Sequence, residues 1–320
     1  MLHLGTRASA LARWQAEWVA SRLREQGVDV VLTPITTRGD RRTAAIAALG
    51  GEGVFTKEIQ QALLDGRIDL AVHSLKDLPT RPETADLCLA AVPERASPRD
   101  VLVASRDVTL ESLPEGARIG TGSLRRRAQL LHVRPDFEMC DVRGNVETRL
   151  DKWTRGEFDA LVLAEAGLRR LGLERHIVQT FSYDVVLPAV GQGALGLETR
   201  TADAATRRAV AALNHPPSHL AVLAERAVLA SLHGGCLAPI AGFAQSSDDG
   251  RLTLVGRVVG RDGVDWLEAE ESVACPLGCG GGGYGQLTGE SMALAVGLGR
   301  RVAELLLTQG AERLIDACRT

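Results

Sequence analysis

At 320 residues and 34.1 kDa the chain is too long for one small core, so two or three domains are expected, and a hydrophobic content of 45% lets each bury a sizeable interior. A formal net charge of −3 excludes a global field that would draw nucleic acid or an anionic membrane, and 3% aromatic residues leave few stacking platforms for single strands. Any attraction for anions must therefore be local. No apolar run approaches the ~20 residues of a transmembrane helix. The sequence enters strand-like Leu2-His-Leu-Gly-Thr6 without a signal-peptide pattern, so a cytoplasmic location without a membrane or nucleic-acid partner is expected. The cysteines, Cys88, Cys140, Cys236, Cys275, Cys279 and Cys318, are scattered rather than clustered and read as reduced thiols.

Strand-like and helix-like segments alternate from residue 1 to about 200, the pattern of a parallel sheet covered by helices. Ala8 to Gly27 reads as a helix ending at a glycine, Val28 to Pro34 as a strand, and Phe55 to Leu64 as a second helix. Ile68 to Val72 is apolar apart from Asp69, which suits a parallel strand buried on both faces. After Ala96-Ser-Pro-Arg99 the pattern restarts with strands at Val101 to Ala104 and Arg118 to Gly120 and a helix from about Ser123. Two such α/β units predict a cleft between them, a common place for small-molecule sites. Beyond Asn214-His-Pro-Pro217 the character changes to a smaller α+β domain: a helix over Ala221 to Leu232 stopped by Gly234-Gly235, a strand over Leu252 to Val259, and a long helix from about Leu287 to Gln309. Cys275 to Tyr284 is too glycine-rich to pack and reads as a loop.

Chemistry concentrates at strand ends. Ala71-Val-His-Ser-Leu-Lys-Asp-Leu-Pro79 sets Asp77 just after an apolar strand and beside Lys76, and Pro79 keeps the segment out of helix. The alternative is an ordinary turn with a solvated Lys–Asp pair. Gly120-Thr-Gly-Ser-Leu-Arg-Arg-Arg127 joins a glycine turn, a capping serine and guanidinium groups in a helix's first turns, a pattern for gripping carboxylates. Arg127 reads equally as a solvated helix face. Cys140-Asp-Val-Arg-Gly-Asn-Val-Glu-Thr-Arg149 repeats the strand, turn and helix, with Arg143 at the turn and Arg149 in the helix. Together with Arg7 after the first strand, these arginines fit a polyanionic substrate. Cys236 lies past a helix end on a glycine turn, open to approach; the alternative is a small buried hydrophobe. Cys275 and Cys279 lack partners for a metal site, Gly50-Gly-Glu-Gly53 lacks the ending of a phosphate loop, and His73 reads as structural rather than as a base.

Taken in order, these motifs resemble the porphobilinogen deaminase (hydroxymethylbilane synthase) family. The resemblance rests on Gly5-Thr-Arg-Ala-Ser9, Trp14-Gln15, Thr37-Arg-Gly-Asp40, Phe55-Thr-Lys-Glu58, His73-Ser-Leu-Lys-Asp77, Ser123-Leu-Arg-Arg126 and Arg143-Gly-Asn145. Leu187-Pro-Ala-Val-Gly-Gln-Gly-Ala194, Ala224-Glu-Arg226 and Gly234-Gly-Cys236 complete it. It implies a transferase that joins four porphobilinogen molecules head to tail on a covalent dipyrromethane primer, releasing ammonia each time, and then frees hydroxymethylbilane by hydrolysis. The implied fold is α/β: two periplasmic-binding-protein-like domains forming a cleft, with a smaller C-terminal α+β domain. The implied boundaries are 1–95 with 190–212, 98–187 and 216–320. A monomer is expected.

Residue by residue, the resemblance assigns the catalytic carboxylate to Asp77 and the thioether attachment of dipyrromethane to Cys236. Cofactor binding falls to Ser74, Lys76, Thr121, Ser123, Arg125, Arg126 and Gly144, and substrate binding to Arg7, Ser9, Gln15, Arg143, Arg149 and Gln192; no metal is implied. Three features depart from the family pattern. Glu52 stands where many members carry lysine and would weaken polyanion attraction, Gly122 replaces a common serine donor, and the Cys275 to Gly289 segment has no recognised counterpart. Rival readings are a binding module of the same two-lobed fold, which leaves Asp77 and Cys236 no task, and a paralogue slowed by Glu52.

Overall fold

The computed structural model describes residues 1–35, 56–80, 84–233, 238–275 and 287–318. Among these described residues, two five-stranded sheets and one three-stranded sheet organise the fold. The first is built from β1 (Leu2–Thr6), β2 (Val30–Pro34), β3 (Leu70–Ser74), β4 (Leu87–Ala91) and β10 (Leu195–Arg200), in the order β2-β1-β3-β10-β4. The second takes β5 (Asp100–Val103), β6 (Arg118–Gly120), β7 (Glu138–Cys140), β8 (Ala160–Ala164) and β9 (Ile177–Thr180), in the order β7-β6-β8-β5-β9. The two-lobed expectation holds, but the sheets are mixed rather than parallel. β10 runs antiparallel to β3 and β4, and β5 runs antiparallel to β8 and β9.

The reason is the chain's route. It crosses from the first sheet to the second between β4 and β5 and returns between β9 and β10. The strand that follows each crossing enters its sheet from the cleft side, against the parallel set. Residues at the start of β5 and just before β10 therefore lie at the same edge as the carboxyl ends of β1, β3, β6 and β7.

Helices cover the sheets: α1 (Ala10–Glu25), α2 (Lys57–Leu64), α3 (Leu124–Val133), α4 (Val146–Thr154), α5 (Glu165–Arg170) and α6 (Ala204–Ala211). In α1 the inward stripe Ala16, Val19, Ala20 and Leu23 is fully buried against β1, β3 and β10 residues including Leu4, Leu70 and Leu197. The helix stops where the sequence places Gly27, which takes φ +80°.

The C-terminal unit stacks α7 (Pro216–Ser231) and α8 (Gly289–Thr308), with the short α9 (Ala311–Asp316), on an antiparallel sheet of β11 (Ile240–Ser246), β12 (Arg251–Val259) and β13 (Trp266–Ala274). α7 begins earlier than periodicity suggests because Pro216 and Pro217 occupy its first turn, where a missing N–H is harmless, and His215 caps it. β11 and β13 carry too little alternation to stand out in the sequence. Close packing of α7 on α8 depends on Gly299, where a Cβ would collide with the Ala224 carbonyl oxygen. This unit also grips the second lobe. Trp266 lies between His132 (ring centroids 4.3 Å apart) and the Arg257 guanidinium (4.1 Å), and Arg257 Nη1 donates to Gln129 Oε1 at 2.7 Å.

Among the described residues no helix is long and apolar enough to cross a membrane, and no cluster of three or more His, Cys, Asp or Glu side chains could hold a metal ion. Cys88, Cys140, Cys275 and Cys318 are free thiols.

Candidate active site

β3 ends in a single tight turn, Leu75–Asp77, that carries the predicted carboxylate. Its apolar residues anchor it: Leu75 and Leu78 are buried with Val92, Ala194 and Val222. Lys76 is left half-buried and Asp77 exposed between them. The Leu75 N–H donates to the Ala194 carbonyl at 3.0 Å, tying the turn to the segment before β10. Gln15, buried on α1, donates from Nε2 to Ser74 Oγ at 2.9 Å, and Ser9 caps the same helix through the Ala12 N–H. Arg7 is half-buried just after β1.

The second lobe presents Thr121, Gly122 and Ser123 between β6 and α3. Ser123 caps the helix by accepting from the Arg126 N–H at 3.5 Å, and its own N–H donates to Thr121 Oγ1 at 3.3 Å. Gly122 fits closely rather than by default, because a Cβ there would lie 2.7 Å from the Val142 carbonyl oxygen. The loss of a serine donor at this position is thus matched by a backbone approach that excludes one. Gly144 takes φ +114° at the turn before α4. Arg143 is exposed and paired with Asp141 at 2.9 Å, and half-buried Arg149 donates from Nε to the Gly144 carbonyl at 2.8 Å.

Arg125 and Arg126 are not spread into solvent; both are buried on a residue that sequence reasoning missed, Asp100. Arg126 Nε donates to Asp100 Oδ1 at 2.9 Å, Nη1 to the Val162 carbonyl at 3.0 Å and Nη2 to Gln192 Oε1 at 3.5 Å. Arg125 Nη2 lies 2.8 Å from Asp100 Oδ2, while Nη1 donates to the Leu187 carbonyl at 2.6 Å. Gln192 Nε2 donates to Asp100 Oδ1 at 2.9 Å, and Lys76 Nζ reaches Gln192 Oε1 at 3.4 Å. Lys76 from the first lobe, Asp100 with Arg125 and Arg126 from the second, and Gln192 from the returning crossover thus form one network. In sequence Asp100 shows only as a lone charge opening an apolar strand.

The electrostatics follow from this crowding. Burial would raise the Asp100 carboxyl, but Arg125, Arg126 and the Gln192 amide hold it below the usual carboxylate value. Lys76 is pushed down to about 8, first by burial and then by Arg126, with Asp77 and Asp100 opposing. Arg149 falls to about 10 through burial and the like charges of Arg126 and Arg143, against Asp141 and Asp77. Lys76, Asp77, Arg126, Arg143 and Arg149, drawn from separate stretches of sequence, therefore feel one another.

A further cation was not legible in the sequence. Arg170, in the last turn of α5, donates to the Gly193 carbonyl at 2.7 Å and lies 5.9 Å from the Trp14 ring, and burial takes it down to about 10. Among the described residues no carboxylate pairs with it.

Other expectations resolve plainly. His73 is buried and bonded to Glu198 at 3.0 Å, a structural pair as anticipated, and Arg127 is exposed. Cys236, Glu52, the Thr37-Arg-Gly-Asp40 and Phe55 motif positions and most of the 275–289 segment lie outside the described residues.

Residues 2–208 match the family model "Porphobilinogen deaminase, dipyromethane cofactor binding domain", and residues 219–308 match "Porphobilinogen deaminase, C-terminal domain". A porphobilinogen deaminase of Syntrophotalea carbinolica is 47% identical over 319 residues, covering 99% of this chain and 95% of that protein. That of Geobacter sulfurreducens is 49% identical over 280 residues (86% of each), and that of Shouchella clausii 44% over 321 residues (99% and 97%). Among solved structures, a putative methionine-binding lipoprotein of Bacillus subtilis aligns over 67% of this chain and 90% of its own at 14% identity and TM-score 0.43, too distant to bear on ligand or activity. With both of its parts matched and relatives this similar along almost its whole length, the chain belongs to the porphobilinogen deaminase family.

Proposed function

We propose that Asp77 is the catalytic carboxylate of this porphobilinogen deaminase, and that the cations gathered around it hold the carboxylates of primer, substrate and growing chain. The observation that carries this reading is the network joining Lys76, Asp100, Arg125, Arg126 and Gln192 across the two lobes beside Asp77.

The residues fit a dipyrromethane. Arg125 Nε is buried without an acceptor, and Lys76 and Arg149 are both drawn down by like charge as well as burial. A site in that condition gains from ligand carboxylates, which supply the missing acceptors and counter-charge. When bound, the cofactor supplies the pyrrole terminus that each new unit extends. We assign its covalent attachment to Cys236, and its carboxylates to Ser74, Lys76, Thr121, Ser123, Arg125, Arg126 and the Gly144 turn. Arg126 has most of its donors occupied within the protein, so its share is chiefly charge; the open donor is Arg125 Nε.

Incoming porphobilinogen also carries an acetate and a propionate, which we assign to Arg7, Ser9, Arg143 and Arg149, with Gln15 and Gln192 lining the cleft. Arg170 adds a cation without a carboxylate partner among the described residues. Loss of ammonia from the aminomethylpyrrole leaves an electron-poor azafulvenium, and the Asp77 carboxylate stabilises that charge while accepting the pyrrole N–H.

The same reading gives three domains, 1–95 with 190–212, 98–187 and 216–320, in a cytoplasmic monomer that binds neither nucleic acid nor membrane. Asp77→Ala is expected to abolish ammonia release from porphobilinogen while the circular dichroism stays native; unchanged release removes Asp77 from catalysis. Intact mass tests the attachment: two pyrrole units on the wild type and none on Cys236→Ser is the expected result, and equal masses refute it.

A further inference from the structure

Arg226 is a buried-side cation that the reaction outlined above leaves unused. It belongs to α7 of the C-terminal unit, yet its guanidinium reaches the first lobe's Asp77 turn. Nη1 donates to the Leu78 carbonyl at 2.9 Å and Nη2 to the Pro79 carbonyl at 2.6 Å, the two carbonyls immediately after Asp77. Val222, one helical turn earlier on the same face of α7, is buried against Leu75 and Leu78. One face of one helix thus supports the apolar side of the turn and grips its polar side.

That helix is itself immobilised. Glu225 is fully buried; its Oε1 accepts from Arg95 Nη1 at 2.6 Å and the Ala244 N–H at 2.9 Å, and its Oε2 from Arg95 Nη2 at 3.1 Å and the Gly191 N–H at 2.7 Å. Both crossovers between the lobes are thereby tied to α7. Among the described residues no carboxylate forms an ion pair with Arg226, and burial draws its guanidinium down to about 10 against the opposing charge of Glu198. A cation withdrawn from water, hydrogen-bonded to two carbonyls and only favoured at a distance by the Glu198 carboxylate, is a poor way to gain stability, since an apolar residue would pack there without the desolvation penalty. Its geometry suits a fork that fixes two consecutive carbonyls.

We propose that Arg226 is a positioning residue: it fixes the backbone after Asp77 so that the carboxylate is held where the reaction needs it. The proposal rests on Asp77 being the catalytic carboxylate. The C-terminal unit then serves catalysis in the first lobe through α7, without touching substrate.

The test is steady-state ammonia release from porphobilinogen by the cofactor-loaded wild type, Arg226→Gln, Arg226→Lys, Asp77→Glu and the double variant Arg226→Gln/Asp77→Glu, with intact mass recorded for each. Misplacing a catalytic group by about 1 Å lowers rates on the order of 10²-fold, so kcat of Arg226→Gln should fall by that order. KM should stay within about twofold and the cofactor mass should be retained, the split expected when only transition-state placement is lost. Because Arg226 acts through Asp77, adding Arg226→Gln to Asp77→Glu should cost far less than it does alone. A wild-type kcat in Arg226→Gln, or single losses that multiply in the double variant, overturns the proposal, as does a rate loss that only tracks loss of cofactor. If Arg226→Gln does not fold, Arg226→Lys decides by the same criteria, since an ammonium cannot span both carbonyls. A wild type that releases no ammonia would instead remove the deaminase reading itself.

Discussion

Replacing Asp100 with asparagine removes one proton-free oxygen from the centre of the site and leaves its shape intact. Asp100 has no solvent exposure, and its carboxylate faces Arg126 Nε at 2.9 Å, Gln192 Nε2 at 2.9 Å and Arg125 Nη2 at 2.8 Å. An asparagine keeps one acceptor, but its amide nitrogen then faces a guanidinium nitrogen or the Gln192 amide, donor against donor. Two buried guanidinium groups also lose their shared counter-charge. Breaking a buried pair from one side destabilises by about 3–5 kcal/mol. A cooperative unit of this size loses about 2–4 °C of Tm per kcal/mol, so the melting temperature should fall on the order of 10 °C at pH 7. Thermal unfolding followed by circular dichroism, repeated across pH, checks both size and origin. Because the folded Asp100 pKa is depressed below 3.8, its stabilisation is present above that value and lost as pH falls through the folded pKa. The difference between wild type and variant should therefore shrink in acid. A drop of less than about 2 °C at pH 7, or a difference independent of pH, would refute the reasoning.

Gly122→Ser tests whether the departure from a serine donor is a deficit or a packing requirement. With the Val142 carbonyl 2.7 Å from the added Cβ, the serine should destabilise by about 1–3 kcal/mol and leave the rate of ammonia release no higher; a faster enzyme of unchanged Tm contradicts this. For Lys76, folded near 8 against 10.5 unfolded, the unfolded chain binds more protons between those values, so stability should rise with pH across that window and lose part of that rise in Lys76→Gln. Over the same range the lysine loses the charge that attracts carboxylates, so KM for porphobilinogen should climb above about pH 8 in the wild type but not in Lys76→Arg; parallel profiles would show that this lysine is not the titrating group.

Much of this was legible from the chain itself. The Leu75–Asp77 turn, the glycine turns before α3 and α4, and the serine caps are local matters: a few residues decide them through backbone preference and short-range hydrogen bonds, so the positions of Asp77, Ser123, Arg143 and Arg149 could be read in advance. The ordered motifs also sufficed to identify the family.

What the tertiary structure alone decided is which of these groups meet. Strand polarity depends on the route between lobes, not on local periodicity, so nothing near Asp100 or Gln192 announces that β5 and β10 run against their neighbours and begin at the cleft. Arg125 and Arg126 are visible as cations in the sequence, but their burial on a shared carboxylate follows only from that reversed strand. Likewise Arg170 and Arg226 look like ordinary helix residues until packing brings them, across long separations in sequence, to the Gly193 carbonyl and to the carbonyls beside Asp77. Local propensity sets where a charge lies along the chain, whereas its partner is chosen by the packing of distant elements.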